Sequence, residues 1–140
     1  ERLLPGVRPV RTLILDKTIS ALITRDEFER AGAIVGENAV SIPYHLAPGT
    51  IIEPRGIGMW RLTSENKPFV IFADLRGSWD AEILSGWISE DYGQRLERPV
   101  LCFRRLGPLK SLRVAICPEK SAPENIHGWM DEWLSAASGV

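Results

Sequence analysis

Gly86-Trp87-Ile88-Ser89-Glu90-Asp91-Tyr92-Gly93-Gln94 divides two apolar runs. An indole ends the run that begins at Trp79. A polar turn follows, then Tyr92-Gly93, and a new apolar run starts at Pro99. The same alternation of run and turn continues in both directions. Short stretches of Val, Ile, Leu, Thr and aromatics recur at intervals of about 8–12 residues, a spacing that predicts an all-β sandwich or barrel. Upstream the expected strands are 10–16, 20–29, 39–46, 50–53, 58–63, 68–75 and 79–87. Downstream they are 99–106 and 110–117. Turns are expected at Arg30-Ala31-Gly32, Pro48-Gly49, Ser64-Glu65-Asn66-Lys67 and Gly77-Ser78. Trp87 is expected as a core anchor between two layers.

Individual runs say more. In 39–46, Val40, Ile42, Tyr44 and Leu46 share one face, and Ser41, Pro43 and His45 share the other. Pro43 cannot donate to a ladder, which places this strand at an edge or at a bulge. In 68–75 both alternating faces are apolar, so this strand is expected to be central with both faces covered. A hairpin centred near Pro108-Leu109-Lys110 would bring Leu101 and Phe103 against Val114 and Ile116. It would place Cys102 and Cys117 opposite each other on the second face. Directly opposed strand positions fit disulfide geometry poorly, so two reduced thiols are expected.

The last twenty residues change period. Ile126, Trp129, Met130, Trp133, Leu134 and Ala137 recur at helical spacing. Ser121 to Glu124 matches a capping box, and Gly139 supplies a stop. The expectation is an all-β antiparallel sandwich over 1–118 with one C-terminal amphipathic α-helix over 119–140 packed on its outside. A docking helix for another domain is the alternative.

The chain has 140 residues, 17 basic and 18 acidic side chains and a formal net charge of −1. That is about one domain. No basic field is present to hold a nucleic-acid backbone, so nucleic acid is not expected as a partner. No apolar run approaches the roughly 20 residues that span a bilayer, so no membrane partner is expected either. Beginning at Glu1 with no leader, the chain reads as a mature or excised fragment of a longer protein.

Four motifs in order resemble the C-terminal sheet domain of heparinase II/III-like polysaccharide lyases. They are Leu22-Ile23-Thr24-Arg25-Asp26-Glu27-Phe28-Glu29, Ile42-Pro43-Tyr44-His45-Leu46-Ala47-Pro48-Gly49, the Trp-Ser-Tyr-Gly element of 86–93, and Leu106-Gly107-Pro108-Leu109 through Ile116-Cys117-Pro118. Order and spacing agree from about Thr12 to Pro118. The resemblance implies a parent whose N-terminal (α/α) toroid carries most of the catalysis. That toroid and an acidic polysaccharide, such as alginate or a glycosaminoglycan, would be this domain's partners. The reaction would be β-elimination beside a uronate carboxylate. Such parents are commonly exported, to the periplasm or outside the cell. Some relatives hold zinc through a His-rich stretch with no counterpart here, so no metal, no cofactor and no catalytic residue is carried over to this chain.

The candidate substrate contacts are His45, Trp60, Trp79 and Tyr92. His45 either lines a groove or is hydrogen-bonded on the sheet surface. Trp60 and Trp79 either stack on a sugar or belong to the core. Tyr92 either meets substrate or ties a sandwich corner through its hydroxyl. With only His127 besides His45, a histidine-based metal site is not expected. A free-standing carbohydrate-binding or protein-interaction module is the competing function.

Overall fold

A computed structural model describes residues 7–30, 38–77, 79–89 and 91–138. The turn positions Ala31, Gly32 and Ser78 and the stop at Gly139 lie outside the described residues. The strands are β1 (Val7–Asp16), β2 (Ala21–Arg30), β3 (Asn38–His45), β4 (Ile51–Pro54), β5 (Met59–Ser64), β6 (Lys67–Ala73), β7 (Asp80–Ile88), β8 (Leu96–Gly107) and β9 (Leu112–Pro118). One helix, α1 (Ile126–Ser138), follows. The expected all-β sandwich with a single C-terminal helix is the observed architecture. All strand pairs are antiparallel, in a six-stranded sheet ordered β1-β2-β9-β6-β5-β4 and a three-stranded sheet ordered β3-β8-β7.

Three layers result. Between the sheets lie Ile42, Trp60, Leu62, Ile71, Trp79, Leu101, Phe103, Leu112 and Val114, all buried. On the other face of the larger sheet, Ile23, Phe72 and Ala115 meet Ile126, Met130 and Leu134 of the helix. Strand β6 explains this arrangement. Ile71 and Ala73 enter the inter-sheet core, while Phe72, one residue out of phase, points to the helix. A run apolar on both faces thus has a layer on each side. The β5–β6 turn is Glu65-Asn66, both with positive φ (51° and 63°), the backbone twist that suits a two-residue hairpin.

A tight ionic cluster locks the helix to the sheet. Asp74 accepts Arg76 Nε at 2.9 Å and Nη2 at 2.7 Å, and also accepts from Arg113. Arg113 turns its other nitrogen to Asp131 on α1. Hydrogen bonds from Arg76, reinforced by Arg113, hold the Asp74 carboxyl far below the usual carboxylate range despite opposing burial. Asp131 is lowered too, chiefly by Arg113. Lowered folded-state values stabilise the fold above about pH 4, where these groups are ionised in the unfolded chain. The contribution drains away as pH falls below that. Urea midpoints measured against pH will therefore drop on the acid side. Asp74→Asn will lower stability at neutral pH by on the order of 2 kcal/mol and flatten that acid limb.

Three expectations need correction. First, β8 and β9 do not form a hairpin. Pro108-Leu109-Lys110 instead carries the chain from the smaller sheet to the larger. Gly107 adopts φ 131°, and Arg105 Nε donates to the Pro108 carbonyl at 2.7 Å, which turns the chain away. Both edges of β9 are already occupied by β2 and β6. Leu101 and Phe103 do meet Val114, but face to face across the layers. Cys102 and Cys117 fall in different sheets, and both are free and buried.

Second, the helix starts later than the capping box implied. Ser121 ends a short 3-10 turn and donates to the Ile19 carbonyl at 3.0 Å. Ala122 precedes Pro123 and is extended (ψ 128°), because the proline ring disfavours helical geometry one residue before it. Asn125 provides the cap instead, its Oδ1 accepting from the Gly128 N–H at 3.1 Å.

Third, Trp87 is no core plug. It is 63% exposed. It shares a strand face with Ala81 and Ile83. Exposure along that face rises from Ala81, packed on the core, through Ile83 at 44% to Trp87. Its ladder partner Glu97 and its face neighbour Ser85 are exposed as well, so this end of the β7–β8 inner face is uncovered.

Candidate functional site

A concavity of about 770 Å³ lies between the β3 edge and the rim formed by β1 and β2. Arg11, Asp26, Phe28, Ser41, Arg104 and Arg105 are among its walls. Its charged centre follows from hairpin register: Arg11 and Asp26 face each other across β1 and β2. The guanidinium is bidentate, with Nε to Oδ1 at 2.7 Å and Nη2 to Oδ2 at 2.9 Å. It also sits over the Tyr44 ring, 5.4 Å from the centroid. Asp26 raises the Arg11 pKa further, so this cation is permanent. Across the cleft, Arg104 pairs with Glu82 at 3.0 Å.

Tyr44 lies beneath the Arg11 guanidinium, next to the cleft. Its hydroxyl and Thr24 Oγ1 share a hydrogen bond of 2.7 Å that ties β3 to β2. Burial pushes the Tyr44 hydroxyl up from its ordinary pKa. It therefore stays protonated and is unsuited to act as a base. The cleft can hold an anionic or polar group by charge and hydrogen bonds.

The four residues singled out from sequence are not brought together. His45 is exposed on the outward face of β3, opposite Val100. Trp60 and Trp79 are buried between the sheets, at 8% and 3% exposure, and offer no face to a sugar. Trp60 packs edge-on against Phe103, and Trp79 Nε1 donates to the Ser111 carbonyl at 3.1 Å. Tyr92 stands fully exposed at the tip of the β7–β8 turn, so it ties no corner. That tie belongs to Tyr44. Sequence reasoning missed the Arg11–Asp26 pair. Aligning the two strands around the turn at 17–20 would have placed the two opposite each other.

Among the described residues no group of three or more His, Cys, Asp or Glu side chains could hold a metal ion. No helix among them is long and apolar enough to cross a membrane. Comparison with protein-family models, curated proteins and solved structures gives no significant match.

Proposed function

We propose that this chain is the accessory sheet domain of a heparinase II/III-like polysaccharide lyase. It braces a helical catalytic toroid and forms one wall of the groove for a uronate polymer. The observation that carries this reading is an uncovered shelf. Three strands face six, and the inner face of β1 is left open. Leu13 and Leu15, in the same side-chain row as Arg11, are 63% and 56% exposed. Apolar side chains stranded on an inner sheet face suit a surface made to be covered by another domain. A partner seated there lies next to the Arg11 cleft, where cations would meet uronate carboxylates. The ordered motifs at 22–29 and 42–49 support the family; the fourth, expected as a closing hairpin, forms none. The exposed Trp87 gives no support either, since it lacks the plug role expected of it.

The test has two arms. The isolated chain will produce no unsaturated uronate from alginate, heparin, heparan sulfate or hyaluronan, followed by ultraviolet absorbance. The coding sequence upstream of Glu1 will specify a helical toroid bearing Asn, Tyr and His at its groove. A parent with any other neighbour sinks the lyase reading. Tight binding of uronate oligosaccharides by the isolated chain, with quenching of Trp fluorescence lost in Trp87→Ala, would favour a self-sufficient carbohydrate-binding module instead.

A further inference from the structure

Two open sheets have four edges: β1, β4, β3 and β7. Three are guarded against adding a strand. β1 carries Arg8, Pro9 and Arg11. β3 carries Pro43. β4 has four residues and ends at Pro54. β7 runs for nine residues, Asp80–Ile88, with no proline and no basic residue.

The hydrogen-bond phase of this edge can be worked out. Leu46 N–H donates to the Pro99 carbonyl at 3.1 Å, continuing the β3–β8 ladder. Odd-numbered residues of β8 therefore direct their backbone groups to β3, and even-numbered ones to β7. In the unbroken β7–β8 register, Asp80, Glu82, Leu84 and Gly86 pair with Arg104, Cys102, Val100 and Arg98. The backbone N–H and C=O groups of Ala81, Ile83, Ser85 and Trp87 then point outward from the sheet. The same residues place their side chains on the face where Ile83 and Trp87 are exposed.

We infer that a second copy of this chain pairs antiparallel along β7, joining the two small sheets into one across a two-fold axis at Leu84. In that register outward residues meet only outward residues. Ala81 faces the partner's Trp87, and Ile83 faces the partner's Ser85. Each indole lies over a methyl group, with the other copy's Ile83 diagonally beside it. On the second face Glu82 meets the partner's Gly86 and Asp80 meets the partner's Ile88, so no like charges stand opposite. The strand is thus self-complementary, as an isologous contact requires. This pairing is independent of the lyase reading.

Sedimentation and light scattering up to millimolar concentration test it. The wild-type mass is expected to approach that of a dimer as concentration rises. Ser85→Pro removes an outward N–H and the exposed hydrogen bond from Ser85 Oγ to Glu97, and Ile83→Lys adds an edge charge. Both are expected to stay monomeric, and should Ser85→Pro fail to fold, Ile83→Lys decides. Leu84→Cys in a Cys102→Ser background is expected to be joined into a covalent dimer by a short bis-maleimide cross-linker, because directly opposed partners place their Cβ atoms about 4.5–5.5 Å apart. Leu13→Cys in that background is the control. A wild type that stays monomeric throughout overturns the inference. So does a dimer that survives Ile83→Lys, or cross-linking through Leu13→Cys as readily as through Leu84→Cys.

Discussion

Deleting residues 119–140 will abolish the cooperative unfolding transition, leaving a chain with strand-like far-ultraviolet dichroism and no fixed aromatic signal. The helix buries Ile126, Met130 and Leu134 against Ile23, Phe72 and Ala115. A fully buried side chain of this size stabilises by about 1.5–3 kcal/mol. Three of them, with the sheet residues they cover, match the roughly 5–15 kcal/mol of a whole domain. Met130, at 0% exposure, offers the point version: Met130→Ala is expected to cost about 2–5 kcal/mol. A truncated chain that melts as sharply as the full one would make α1 a detachable handle rather than a structural layer.

Phe103→Ala will be the most damaging single truncation between the sheets, at about 3–5 kcal/mol. Phe103 is 0% exposed. Its ring stands edge-on to Tyr44 at 5.6 Å and to Trp60 at 5.8 Å, so one side chain joins residues from β3, β5 and β8. The informative comparison is Trp87→Ala. Trp87 is the larger ring and was the expected anchor, yet at 63% exposure its loss should change monomer stability by no more than about 0.5 kcal/mol. Denaturant midpoints of the two variants, measured at a concentration where only monomer is present, decide the matter. A Trp87 variant as crippled as the Phe103 variant would restore the indole to the interior.

The strands were legible because turn residues and period-two apolar runs are local properties. The double-sided character of β6 and the apolar stripe of α1 were legible for the same reason. Strand partnership was not. Alternation tells which residues share a face, and Leu101, Phe103 and Val114 do share a core. It is silent on whether they meet along a ladder or across a layer. Trp87 was misplaced because an apolar residue on an inward-facing row is buried only where an opposite layer exists, and sheet widths are a tertiary property. At the helix start, the Ser121–Glu124 spacing fits a capping box, but Pro123 dictates the conformation of Ala122 and moves the cap to Asn125. Of the candidate site, alternation along 39–46 correctly set Val40 and Ile42 on one strand face and Ser41 and Pro43 on the other. It did not join Arg11 to Asp26, because that pair depends on the register of two strands rather than on spacing within one.

The position of β9 governs how the chain reaches this state. The N-terminal hairpin β1–β2 can form early, and so can the β4–β5–β6 meander. Neither can join the other until residues 112–118 slide between them, pairing with β2 on one side and β6 on the other. During synthesis both half-sheets must therefore wait, with two facing edges unpaired, until the ribosome has released nearly the whole domain. Closure over so long a stretch of chain is entropically slow, and a nascent intermediate of this kind is a natural client for chaperones.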